Sequence, residues 1–200
     1  MLTVGKDARE VERKLRAGQL ECPSCGGRLA PWSHGRARVV FGAGALRWRL
    51  RPRRARCAEC GVTHVLLPVS VLARRRDEAG LIGAALVLAA RGVSCVAIGR
   101  SLGRPVSLVR GWVGRLAGRA GQVRAVFTVL VAALDPDPPP AGPAGSALAD
   151  AVAAIAEAAA AFARRFLVTV SPWELASAVT SGSLLAPVIT AVPSNTKYVL

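Results

Sequence analysis

Two matching cysteine knuckles, Cys22-Pro23-Ser24-Cys25-Gly26 and Cys57-Ala58-Glu59-Cys60-Gly61, constrain this chain more than any other feature. A Cys-x-x-Cys turn points both sulfurs at one centre, and the glycine after it lets the backbone come close, so each knuckle supplies half of a tetrahedral coordination sphere. Together Cys22, Cys25, Cys57 and Cys60 predict a closed four-cysteine site for Zn2+. A closed site has no open position for water or substrate, so the metal is expected to hold the fold together rather than to catalyse. Disulfides are the plain alternative. Against them, Met1 to Gln19 is a charged segment without the apolar core of a secretory signal, and reduced thiols are expected in cytoplasm. A thioredoxin-like redox motif needs a single Cys-x-x-Cys opening a helix in a βαβ unit, whereas this one is doubled and flanked by arginine-rich, strand-like sequence. Cys95 reads as a small buried residue at a helix start. His34 and His64 are left outside the ligand set, because four cysteines satisfy the metal.

Charge is segregated along the 200 residues. Through Ala120 there are 23 Lys and Arg against 7 Asp and Glu; from Gly121 onward there are 4 against 5. A strongly basic first part, almost all arginine, is the electrostatic footprint of a surface facing phosphates. A compositional bias toward Arg and Ala contributes, but it does not explain why the arginines desert the alanine-rich C-terminal half. The apolar runs Leu81 to Ala90 and Ala125 to Leu134 are too short to span a bilayer, and the uncharged stretch after Glu174 is broken by Gly182, Pro187 and Pro193. The expectation is a soluble, cytoplasmic, nucleoid-associated protein that avoids the membrane.

Apolar positions at Val4, Ala8, Val11 and Leu15, with Gly18 behind them, predict an amphipathic helix over 3–17 inside an N-terminal unit of residues 1–19. Residues 20–68 read as a zinc ribbon. Between the knuckles, Arg36 to Phe41 and Ala45 to Arg51 are predicted strands joined by Gly42-Ala43-Gly44. In the second strand Leu46, Trp48 and Leu50 alternate with Arg47, Arg49 and Arg51, which puts three guanidiniums on one face. With Arg53, Arg54 and Arg56 nearby, that face is able to lie along a phosphate backbone, or simply to be solvated.

Residues 74–134 form the next unit. Leu81, Ile82, Ala85, Leu86 and Ala89 have helical spacing that stops at Arg91-Gly92. Residues 97–112 have the spacing of a helix-turn-helix: a small residue where two helices cross (Gly99), a glycine at the tight turn (Gly103), and apolar residues at Ile98, Leu102, Val109 and Trp112. Pro105 or Ser107 starts the second helix. Its exposed early residues are then Val106, Ser107, Arg110 and Gly111. Arg110 is suited to a bidentate pair with guanine, while Arg104, Arg115 and Arg119 suit phosphates. Gly99, Leu108, Gly111 and Gly114 weaken this pattern, and the second helix is expected to gain order on DNA. A helical hairpin that only packs is the competing reading.

From Cys22 to Trp112 the chain resembles the actinobacterial helix-turn-helix proteins with an N-terminal zinc ribbon, a group related to transposase DNA-binding regions. The junction Cys60-Gly61-Val62-Thr63-His64-Val65-Leu66-Leu67-Pro68, followed by Arg74-Arg75-Arg76 and a helix, has the same texture. The resemblance implies DNA binding connected with mobile elements or regulation, and no more; the partners expected are double-stranded DNA and a transposase or another protein.

Residues 135–145 are a proline-rich linker. Within residues 146–180, Leu148, Val152, Ile155, Ala159, Phe162 and Phe166 form a heptad seam able to pair two subunits as a homodimer, or to pack back on its own domain. Ser171-Pro172-Trp173-Glu174 reads as a capping box opening a last helix, and residues 181–200 as a tail without periodicity. No spacing converges the carboxylates Asp135, Asp137, Asp150 and Glu157 on a two-metal centre, and no phosphate loop or nucleophile motif appears, so no catalytic activity is expected. The fold expected is mainly α with a small β zinc ribbon, then a homeodomain-like helix-turn-helix domain and C-terminal helices. Its function is expected to be DNA binding. The alternative is a zinc-ribbon adaptor for proteins or RNA.

Overall fold

The chain opens on a strand where a helix was expected. In the computed structural model, which describes residues 1–135, 137, 142 and 144–186, β1 (Leu2–Val4) is wholly buried and pairs in parallel with β6 (Thr63–Pro68). Helix α1 (Ala8–Arg16) begins later because Asp7 caps it, its carboxylate accepting the N–H groups of Arg9 at 2.8 Å and Glu10 at 3.4 Å. Val4 keeps helical spacing with Val11 and Leu15 but belongs to the strand. Spacing alone cannot separate the two.

Around the knuckles the sheet runs β1-β6-β5-β2, where β2 is Leu29–His34 and β5 is Arg53–Cys57. β2 leaves the first knuckle and β5 enters the second, and they pair antiparallel with Leu29 opposite Cys57. The predicted hairpin exists as β3 (Arg38–Phe41) and β4 (Arg47–Leu50), but as a separate two-stranded sheet inserted between β2 and β5. This corrects the simple knuckle–hairpin–knuckle picture. β2 was hidden by Pro31, which usually argues against a strand; here it sits on an edge strand at a register shift, where a missing N–H is tolerated. Leu2, Leu15, Leu29, Ala55 and Leu66 close a small core under this sheet, and Val40, Leu50, Leu67 and Val71 make a second one under the hairpin.

Beyond the sheet come α2 (Ala79–Ala90), α3 (Cys95–Leu102), α4 (Val106–Ala117), α5 (Ala120–Leu134), α6 (Ala147–Phe166) and α7 (Pro172–Val179). Among the described residues the architecture is therefore mixed, with seven helices and two small sheets. Trp112, Phe127, Phe162, Ile82, Leu86 and Ile98 fill one helical core. The heptad seam of α6 is part of it: Ile155, Ala159 and Phe162 are buried within the chain, with Leu148 and Val152 against them. From Leu148 to Phe162 the seam is thus covered within the chain, with α5 packed along α6, while its last member, Phe166, stays 44% exposed. No single described helix is long and apolar enough to cross a membrane; α4 and α5 reach that length only jointly, across a 63° bend.

The last helix ties the two parts together. Ser171 precedes α7 and Pro172 occupies its first turn, but the expected capping-box bond is absent, and Glu174 instead meets Lys6 at 3.2 Å. Thr3 Oγ1 donates to the Ala178 carbonyl. Trp173 lies against α2 at Gly83, where any Cβ would come within 2.2 Å of the indole. Leu184 and Leu185, assigned to the tail by sequence, are buried in the helical core. The rest of that tail, from residue 187, and most of the proline linker lie outside the described residues.

Candidate metal centre and arginine cleft

The two knuckles are built alike. In each, the glycine after the second cysteine has positive φ (76° at Gly26, 71° at Gly61) and returns its N–H to the carbonyl of the first cysteine, at 2.8 Å for Cys22 and 3.2 Å for Cys57. Glycine adopts this conformation without the penalty a Cβ brings. The turns aim N–H groups at sulfur: Ser24 donates to Cys22 Sγ at 3.4 Å and Cys60 to Cys57 Sγ at 3.5 Å.

All four sulfurs of Cys22, Cys25, Cys57 and Cys60 lie within 4.8 Å of one another. Cys22 and Cys60 are 3.8 Å apart, and Cys25 and Cys57 3.5 Å. A tetrahedral ion with metal–sulfur bonds of about 2.3 Å requires sulfurs about 3.8 Å apart, so the cluster fits a four-thiolate metal centre. These separations are far beyond a disulfide bond of about 2 Å. The donor chemistry suits zinc, which favours closed thiolate tetrahedra.

The thiols are unequal. Burial opposes ionisation of Cys22, but the N–H groups of Ser24 and Cys25, aided by the Cys60 and Cys25 thiols, outweigh it and bring Cys22 down to about 6. The Cys60 N–H favours the Cys57 anion, yet burial, the Glu59 carboxylate and Cys25 together push Cys57 up to about 12. Glu59 Oε2 is 3.2 Å from Cys57 Sγ and occupies the space that Gly27 leaves by lacking a Cβ.

His64, left outside the ligand set on sequence, supports the site in a way the sequence did not indicate. It is buried on β6, with Nε2 3.3 Å from Cys22 Sγ and Nδ1 3.3 Å from the Met1 amine. It thus supports a ligand without replacing one, an arrangement that orients metal-binding groups. Its closeness in sequence to Cys60 gave no such signal, because the contact is made with Cys22 of the other knuckle. His34 is exposed at the end of β2, and Cys95, half-buried, opens α3 against the helical core.

The expected phosphate contacts divide into three groups. Arg47, Arg49 and Arg51 are exposed on or beside β4, while Leu50 is buried and Trp48 half-buried on the other face. Ser107 and Arg110 are exposed on α4, as is Arg115, which donates to the Gly111 carbonyl at 2.7 Å. Arg104 is different. Its side chain is 12% exposed; Nε donates to Asp77 at 2.7 Å, Nη2 to the Gly42 carbonyl at 3.1 Å and Nη1 to the Gly103 carbonyl at 3.1 Å. The guanidinium also covers the Phe41 ring at 5.2 Å. Arg104 therefore faces inward and fastens the hairpin to the α3–α4 turn, in place of the phosphate contact expected of it.

α4 and the turn at Arg74-Arg75-Arg76 form the walls of a cleft of about 720 Å³, to which Ser107, Leu108 and Arg115 also contribute. Arg74 has φ 59°, so the turn is held in a left-handed conformation. Among the described residues Asp77 is the one acidic residue in the lining, and Arg104 already neutralises it. Arg119, at the start of α5, is half-buried. Compared with protein-family models, with curated proteins and with solved structures, the chain matches none.

Proposed function

We propose that this protein is a zinc-stabilised DNA-binding protein in which α3 and α4 act as a helix-turn-helix and α4 is the recognition helix. The observation that carries the reading is the exposed N-terminal half of α4, with Ser107 and Arg110 facing solvent beside an arginine-rich surface. Three features of the hairpin support it. Gly103 takes the left-handed turn at φ 62°. A Cβ at Gly99 would come within 2.8 Å of the Arg104 carbonyl oxygen, so the crossing demands glycine. Val109 and Trp112 anchor the back of α4 in the core.

Arg110 then reads a base edge, and Arg47, Arg49, Arg51 and Arg115 meet phosphates, which makes binding salt-dependent. The biological setting that fits is transcription regulation or transposition, with the thiolate centre as structural support and no catalytic role.

The test is selection of zinc-loaded protein on a random duplex pool, with a chelated sample alongside. Enrichment of one sequence, lost on chelation, supports the reading. Arg110→Ala should flatten discrimination between sequences, and Arg49→Ala should weaken all duplexes alike and reduce the salt slope. Equal effects from both would sink that division of labour. An adaptor role is the second reading, favoured by Trp32, which stays 56% exposed near the metal knuckle with the Arg56 guanidinium 5.0 Å from its ring centre.

A further inference from the structure

The cleft between α4 and the Arg74–Arg76 turn has an electrostatic imbalance that the described residues do not relieve. Arg75 and Arg115 both line it, and among the described residues the only lining carboxylate, Asp77, is bound to Arg104. Arg75 Nη2 donates to the Leu185 carbonyl at 2.9 Å, which fixes the side chain in place. Its Nε, and Nη1 of Arg119, are buried and find no acceptor among the described residues. Unmet buried donors on a charged group are costly, and native proteins keep few of them. The Arg75 guanidinium is held below its ordinary value, first by burial and then by the positive charges of Arg115 and Arg119. Arg75 and Arg115 thus stand at the wall of a cavity of ligand size, with Arg119 close enough to act on Arg75 from behind it.

We propose that this cleft is a phosphate-binding site, seated by Arg75 and Arg115 and backed by Arg119. A phosphate group supplies the negative charge that the lining guanidiniums of Arg74, Arg75, Arg76 and Arg115 lack, and guanidinium forks match its geometry. Leu108, 43% exposed, offers an apolar wall for whatever the phosphate is attached to. The phosphate has two sources, a free phosphomonoester of nucleotide size or the backbone of a nucleic acid. The site does not depend on sequence reading by α4, since Arg110 lies outside its lining.

The experiment titrates the full-length, metal-loaded protein with inorganic phosphate at constant ionic strength, using chloride as the reference anion, and reads heat of binding and melting temperature. Saturable one-to-one binding with a raised melting temperature is expected. Arg115→Gln, whose hydrogen bond among the described residues is to its own helix, should weaken phosphate at least about tenfold while melting like the parent in chloride. Arg75→Gln should do the same, with some loss of stability from its tie to Leu185. Arg110→Ala should bind phosphate like the parent. Phosphate acting no better than chloride, or binding unchanged in Arg115→Gln, would overturn the proposal. A 5′-mononucleotide that displaces phosphate where its nucleoside does not assigns the small-molecule source. Displacement by short duplex DNA alone assigns the backbone. Phosphate binding without any duplex binding would leave this site standing while the DNA reading fell.

Discussion

Arg104 and Asp77 form a nearly buried ion pair, with Nε and Oδ1 2.7 Å apart and the two side chains 12% and 8% exposed. The pair joins the turn between α3 and α4 to the segment before α2, and through the Gly42 carbonyl it reaches the hairpin. A buried pair is not stabilising merely by existing, but breaking one member leaves an uncompensated charge. Asp77→Ala should therefore cost about 3 kcal/mol in denaturant unfolding. Removing both partners together should cost less than the sum of the single changes, and strict additivity would contradict the coupling.

Removal of the metal should separate the two parts of the chain. The sheet core and the helical core are distinct clusters, so chelation should loosen residues 20–68 while most helical circular dichroism persists. Alkylation gives the sharper readout. Cys22, Cys25, Cys57 and Cys60 should be protected in the loaded protein and exposed by chelator, with Cys95 unchanged in both. Metal analysis should find one ion per chain. Loss of all helical signal on chelation would show that the helices need the centre.

His64→Ala should lower metal affinity about 10- to 100-fold without changing stoichiometry, because the ring supports the Cys22 sulfur and is not itself a ligand. Competition with a chromogenic chelator measures this. Complete loss of binding would instead make His64 a ligand.

Acid sensitivity should trace partly to Glu12. Its carboxyl is held below the ordinary 4.5, first by the hydrogen bond from Arg53 and then, against burial, by Arg16. A carboxylate depressed in the folded state stabilises above its unfolded value and loses that contribution as pH falls through the folded one. Glu12→Gln should therefore reduce stability at neutral pH by about 1 kcal/mol and flatten the decline below pH 4.5.

Gly83→Ala should be destabilising by about 1–3 kcal/mol, since the new Cβ would strike the Trp173 indole. Combining it with Trp173→Leu should recover part of that loss. Unaltered stability in Gly83→Ala would mean that α7 shifts freely.

The knuckles were legible because their chemistry is local. Three-residue spacing and a following glycine define the turn whatever surrounds it, so Cys22, Cys25, Cys57 and Cys60 could be named as one cluster. The hairpin and the boundaries of α2 were readable for the same reason, through Gly42-Ala43-Gly44 and the stop at Arg91-Gly92. β1 was not. Three residues carry too little pattern, and their burial depends on β6, more than sixty positions away.

Residue type and near-neighbour spacing alone determined the four-cysteine cluster, the helical segments from α2 to α4 and the concentration of arginine in the first part of the chain. Only the tertiary structure decided which arginines face solvent and which face a partner. Arg104 and Arg110 look alike in sequence, yet one is held by Asp77 and Gly42 and the other is exposed. The same holds for His64, brought to Cys22 by strand pairing, and for the α6 seam, covered by α5. Such contacts join residues distant along the chain. They follow from how apolar faces are packed together, which no local spacing records.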